Sequence, residues 1–171
     1  ASGADFRYNN GYFRDGAGAD NDYYAWMWRR QHGFCDQTMY TGTSSNQTIA
    51  HNLGVEPEMI WIKSWDTSYD WNVYHKDLGT SSYLFLNSTT AAVNNQTGYY
   101  QSTPTATSFT LGTYGDVNAN TKQFAAFLFA SVPGVSKVGS YTGDGTHDTH
   151  VIDCGFTSGA RYVLLKRTDS T

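Results

Sequence analysis

Apolar and polar residues along this chain alternate in short runs, separated by clusters of Gly, Pro, Asn and Ser at a spacing of roughly ten residues. Trp71, Val73 and His75 fall on one side of such a run and Asn72 and Tyr74 on the other, which predicts a strand with one mostly apolar face. Residues 124–129, Phe-Ala-Ala-Phe-Leu-Phe, are apolar at every position and predict a central strand covered on both faces. Strands are predicted over 36–42, 47–51, 58–64, 70–75, 83–87, 107–112 and 123–130. No window of about 11 residues carries the period of an amphipathic helix. Pro57 and Pro104 stand at strand entrances, where a missing N–H does least harm. The pattern therefore predicts an all-β fold, an antiparallel β-sandwich of jelly-roll-like type.

Part of the pattern returns. Glu58-Met-Ile-Trp-Ile-Lys63 comes back as Arg161-Tyr-Val-Leu-Leu-Lys166 at an offset of 103, which also pairs Ile49 with Ile152 and Leu53 with Phe156. Tyr40-Thr41-Gly42 matches Tyr141-Thr142-Gly143 at an offset of 101. The internal repeat divides the chain into a complete sandwich unit over 35–134 and the start of a second unit over 135–171. Because the counterpart of the Trp71 strand is missing from that second unit, the chain is expected to be a piece of a longer polypeptide. Residues 1–34 differ: a hairpin is expected around Asn10-Gly11, then a loop over 16–22 and a strand at Tyr23–Trp28. So few strands cannot close a core, so this segment is expected to end a preceding β-sandwich or to lie as an arm on the next unit.

Composition supports the strand reading, with thirteen Tyr, nine Phe and five Trp to pack across pleated surfaces. Charged residues are only 15 %, and polarity is carried by hydroxyls and amides, a balance that suits an extracellular or virion shape protein. The net charge is −4 and the eleven Lys and Arg are dispersed, so no basic face for nucleic acid is visible. No apolar run approaches the roughly 20 residues of a spanning helix, and no membrane insertion is expected. Cys35 and Cys154 occupy non-equivalent places in the two copies; they either bridge neighbouring units or serve as two unpaired, half-buried thiols. The sequons at Asn46, Asn87 and Asn95 are what chance supplies in a chain this rich in Asn, Ser and Thr.

The search for reactive chemistry starts from His51, His75, His147 and His150, with Asp144, Asp148 and Asp153 near the last two. His147-x-x-His150 lies on a turn without the helical context that makes paired histidines a metal site, and His75 is expected to pack beside Trp71 and Val73. Neither a nucleophile elbow nor a phosphate-cradling glycine loop is present. Asp66 and Asp70 are a carboxylate pair by spacing alone. Asp20-Asn-Asp22 and Asp144–Asp148 resemble loose calcium loops without a full ligand series, so no metal and no cofactor is expected and the chain is read as non-enzymatic. Aromatic rings on turns offer a different chemistry, because a flat ring meets the apolar face of a sugar. Trp65 and Tyr69, between two predicted strands, are the first candidates for a glycan or subunit contact, followed by Tyr99 and Tyr100. The latter two sit in the low-signal stretch Ser88–Ala106, which reads as a surface connection or as a variable recognition loop.

The order of several marks then carries a resemblance. Tyr40-Thr-Gly42, His51-Asn-Leu-Gly54, Pro57, the Ile60-x-Ile-Lys63 strand, Asp70-Trp-x-Val-Tyr-His75, Leu84-x-Leu-Asn-x-Thr89, Val117-Asn118, Phe127-x-Phe-Ala130 and Gly134–Gly143 resemble an uncharacterised repeat domain. That domain occurs in large structural proteins of tailed bacteriophages, notably marine ones. There it commonly follows a laminin-G or concanavalin-like sandwich, whose end residues 1–34 resemble. The resemblance implies a virion component of a tail fibre or related appendage, without catalytic activity. It would be homo-oligomeric, joined to other virion subunits and able to contact a host-surface glycan. Ser64-Trp65 departs from the Arg167-Thr168 of the second copy, so the turn chemistry there need not be shared between copies. The alternative is a carbohydrate-binding module of a secreted or cell-surface protein.

Overall fold

The computed structural model describes residues 4–5, 13–14, 28–146 and 150–169. Strands β1 (Ala4–Asp5) and β2 (Phe13–Arg14) pair antiparallel, Ala4 with Arg14 and Asp5 with Phe13; the expected Asn-Gly turn and the Tyr23–Met27 part of the expected strand lie outside the described residues. The main body is built from β3 (Cys35–Thr41), β4 (Gln47–Ala50), β5 (Met59–Ser64), β6 (Asn72–His75), β7 (Leu84–Phe85), β8 (Ser108–Leu111) and β9 (Gln123–Phe129), with one short helix α1 (Gly115–Asn118) before β9. All seven strands predicted for this region are present. The largest difference is β7, where Leu86 and Asn87 leave the ladder to tie down the start of β6.

Two antiparallel sheets face each other. The larger has the order β3-β9-β5-β6-β7; the smaller pairs β4 with β8 and is widened by a bridge from Tyr100 to Leu111. The all-apolar run of β9 has the central place its composition demands, between β3 and β5, with Phe124 across from both Tyr40 and Ser64. Period-two alternation sends Tyr40, Ile60, Ile62, Tyr74, Phe124, Ala126 and Leu128 to the inner face, where they meet Ile49, Phe109 and Leu111 of the small sheet. The other set, Cys35, Trp61, Val73, Leu84 and Phe129, forms a second cluster on the outer face. Asn72 and Tyr74 are therefore buried, and β6 is covered on both faces rather than half-exposed.

The stretch 88–106 runs mostly exposed or half-exposed, as a surface connection does, but it inserts Tyr99 and Tyr100 into the core, with Gln101 N–H donating to the Thr110 carbonyl at 2.9 Å. Residues 28–34 belong to the 35–134 unit in packing, because Phe34 joins the outer cluster and Gly33 N–H donates to the Leu53 carbonyl at 2.7 Å. Residues 151–169, the sequence counterpart of β4 and β5, form no strand and leave Val151, Val163 and Leu165 exposed. The repeat seen in the residues thus has no second sheet among the described residues. Both cysteines are free thiols; burial pushes the Cys35 thiol pKa up, and its Sγ lies 3.1 Å from the Arg29 carbonyl.

Candidate functional site: an aromatic cleft on the outer face

Polar residues of the sequence marks are spent on holding loops. Asn118, fully buried, receives the Thr43 N–H on Oδ1 at 2.9 Å and donates from Nδ2 to the carbonyls of Ser45 (2.7 Å) and Gly112 (2.6 Å). Tyr40 of β3 donates its O–H to the Val117 carbonyl of α1 at 2.6 Å. Asn87 accepts the Trp71 N–H at 2.9 Å and donates to Asp70 Oδ1 at 2.7 Å, which is why an Asp-Trp pair and a Leu-x-Leu-Asn segment occur together. Asp66 accepts from Ser64 Oγ (3.0 Å), Thr67 Oγ1 (3.2 Å) and Gln123 N–H (3.2 Å), pinning the β5–β6 turn to β9. Weak burial raises its pKa, and these donors together bring it below the usual carboxylate value. Asp66 and Asp70 thus lie in the same β5–β6 connection but hold different neighbours, Asp66 the start of β9 and Asp70 the Asn87 amide.

The histidines are similarly engaged. His51 is buried, stacks on Phe109 at 6.3 Å and accepts the Leu53 N–H on Nδ1; burial lowers its pKa. His75 is half-buried and accepts the Asp77 N–H at 3.3 Å; burial lowers its pKa too, against the pull of Asp77. His150 lies 2.6 Å from Asp144, whose carboxyl is held down to about 2 by His150 and by Thr146. His147, Asp148, Asp20 and Asp22 lie outside the described residues. Among the described residues no group of three or more His, Cys, Asp or Glu comes together.

Of the four aromatic candidates, only Trp65 is well exposed, at 58 %. Tyr69 is half-buried against the inner core, its backbone carbonyl accepting from the Lys63 ammonium. Tyr99 (3 %) and Tyr100 (2 %) are core residues, which corrects their candidacy for an outside contact. The Tyr99 ring lies between Tyr83 and Tyr114, at 3.9 and 4.4 Å, and its hydroxyl donates to Asp116 at 2.9 Å. Tyr100 packs on Tyr74 at 5.1 Å and donates to Asn72 Oδ1 at 3.0 Å; burial raises both phenol pKa values far above the ordinary one. In a Thr- and Asn-rich stretch, two adjacent tyrosines are the anchors that fasten it to the core, and their hydroxyls find acceptors as buried phenols must.

An aromatic cleft opens elsewhere. Trp61 of β5 faces Phe127 of β9 directly across the ladder, and Trp71 leads into β6 on the same outer face, 6.0 Å from Phe127. Trp28 folds over them edge-on, 6.2 Å from Trp61 and 5.9 Å from Phe129. Trp28, Trp61, Trp71 and Phe127 line a half-open cleft of about 60 Å³ whose walls are wholly apolar. Trp28 is 40 % exposed, whereas Trp61 is only 8 % exposed and its indole N–H has no hydrogen-bond partner among the described residues. Strand alternation could place Trp61 and Trp71 on one face. Nothing local told that Trp28, outside the strands, would close over them. No curated protein and no solved structure matches the chain. A family model described as "Domain of unknown function (DUF7483)" matches residues 15–171, and the chain belongs to that family.

Proposed function

We propose that this chain is a non-enzymatic structural unit of a tailed-phage virion, carried on a tail fibre or related appendage and contributing to host-surface attachment. The observation that supports this reading best is the use made of the sequence marks: Gly42, Asp70, Asn87 and Asn118 each join two backbone segments, so the marks specify a shape. The resemblance of their order to phage structural repeats supplies the setting. Rigid sandwiches hold weak contacts in fixed register, and homo-oligomeric assembly with other virion subunits multiplies those contacts into avidity. Peptides of this chain in purified tailed-phage particles, found by mass spectrometry, and an oligomer of the isolated protein in sedimentation are the expected results. A monomer with no counterpart in such particles overturns the reading. The ring-lined cleft favours a second reading, a carbohydrate-binding module of a secreted or cell-surface protein, which predicts a monomer that binds soluble glycan.

A further inference from the structure

We propose that the turn at residues 132–136 is a rigid joint between two consecutive sandwich units of one chain, and that the segment after it lies on the outer face of the first unit while it opens the second; the joint rests on the structural role proposed for this chain and supplies its fixed register. The same turn is built twice. Val132 N–H donates to the Ser136 carbonyl at 3.0 Å, and the Val135 and Ser136 N–H groups return to the Val132 carbonyl at 2.9 and 3.0 Å. Earlier in the chain by 101 positions, Gln31 N–H donates to the Cys35 carbonyl at 2.9 Å, and the Phe34 and Cys35 N–H groups return to the Gln31 carbonyl at 2.9 and 3.0 Å. Gly33 and Gly134 hold the same place in the two turns, at φ +79° and +72°, a backbone conformation that residues with a side chain rarely adopt. The offset of 101 carries the flanking sequence as well. Tyr23-Tyr-Ala-Trp-Met-Trp28 precedes the first turn as Phe124-Ala-Ala-Phe-Leu-Phe129 precedes the second, and Tyr40-Thr-Gly42 follows the first as Tyr141-Thr-Gly143 follows the second. A turn that leads into β3 at one place therefore leads into the counterpart of β3, residues 136–142, at the other.

The side on which residues 136–142 are held agrees with this role. In β3 the outer face carries Cys35 and, by alternation, Gln37 and Met39, while Tyr40 points into the core. The counterparts of the three outer residues are Ser136, Val138 and Ser140, and these fasten the segment to the first unit. Ser136 Oγ donates to the Ala130 carbonyl at 2.7 Å, Val138 is buried in the outer cluster with its N–H on Ser131 Oγ at 2.9 Å, and Ser140 Oγ donates to Asp77 at 2.8 Å. Tyr141, the counterpart of the core residue Tyr40, is 51 % exposed. The segment thus docks by its outer face and leaves its inner face open for the core of a second unit. The approach to the turn is fixed too, because Glu58 accepts the Ser131 N–H at 2.6 Å.

Rigidity is tested on the whole chain by amide hydrogen exchange read in NMR spectra. The N–H groups of Val132, Ser136 and Val138 should exchange about a hundredfold more slowly than those of Tyr141 and Gly143, and equal rates overturn a rigid joint. Gly134 and Gly145 share the positive φ and have open space where a Cβ would stand, so comparing Gly134→Ala with Gly145→Ala isolates the turn. Gly134→Ala should speed exchange at Val132, Ser136 and Val138 about fivefold, while Gly145→Ala leaves it unchanged; equal effects overturn the role of the turn. The role of the segment is tested in a two-unit chain, residues 1–140 followed by 40–171, where 136–140 has to serve in the first strand of the second sandwich. A control, residues 1–140 followed by 28–171, gives the second sandwich its own β3. The calorimetric heat of unfolding of the spliced chain should match that of the control, with the Val138 N–H still slow to exchange. A spliced chain that absorbs no more heat than the parent beside a doubled control overturns the proposal, as does a Val138 N–H that turns fast once the second sandwich folds. Absence of the protein from phage particles removes the virion setting and leaves the joint standing, whereas a failed joint removes the fixed register and leaves the setting.

Discussion

Asn118 is the residue on which most loop geometry converges. Its amide satisfies one N–H and two carbonyls from two segments, the 43–45 loop and Gly112, so Asn118→Ala strands each of them. A loss of about 3 kcal/mol in urea unfolding is expected, and an unchanged midpoint would show that the loops are held by other contacts. Gly42 is constrained by backbone. A Cβ there would stand 2.1 Å from the Ala119 carbonyl oxygen, in the turn where Gly42 N–H bonds the Lys122 carbonyl at 2.8 Å. Gly42→Ala must push two strand connections apart and should also cost about 3 kcal/mol, read in the same assay. Both residues were visible as marks in the sequence, but their purpose was not, because Asn118 lies 75 positions from Thr43 and 73 from Ser45, and Gly42 meets Lys122 from the far end of the unit.

At the level of elements, Glu58 fastens the large sheet at the end where β5, β6 and β9 meet. Its carboxylate accepts the Lys76 ammonium and the Ser131 N–H, both at 2.6 Å. Burial pushes the Glu58 pKa up, yet these hydrogen bonds outweigh burial and leave it below 4.5. A carboxyl whose folded pKa is depressed stabilises the fold above its unfolded value, and that contribution is lost as pH falls through the folded one. His51 and His75, with pKa values lowered from 6.5 by burial, act in the same direction but in a higher window. Stability is therefore expected to decline on acidification in two stages, below pH 6.5 from the histidines and below pH 4.5 from Glu58. Glu58→Gln should flatten the lower stage in pH-dependent urea titrations; a profile identical to the parent would remove Glu58 from the account.

For the whole molecule, the sandwich formed by residues 28–140 carries the cooperative core, and the segment beyond it lies on the surface. That segment touches the body through Thr168, whose carbonyl accepts from Ala92 N–H at 2.9 Å, through Lys166, whose ammonium donates to the Thr90 carbonyl at 2.8 Å, and through Tyr162 against Trp28. A chain ending after Ser140 should unfold cooperatively within about 1 kcal/mol of the full chain. A larger loss, or loss of cooperativity, would mean that residues 141–169 complete the core.

The sequence by itself determined the strand content and the fold class. Alternation and the all-apolar run of β9 are local signals, and the two-residue period of a strand converts them directly into faces. It also marked Gly42, Asn87 and Asn118 by their place in a recognisable order. Tertiary structure decided the rest. Tyr99 and Tyr100 became core residues through contacts with Tyr83, Tyr114 and Tyr74, which lie far from them in the chain, while Trp65 stayed exposed on its turn. The aromatic cleft joins Trp28, Trp61, Trp71 and Phe127 across nearly the whole body, and such a meeting depends on sheet order β3-β9-β5-β6, which no local spacing encodes.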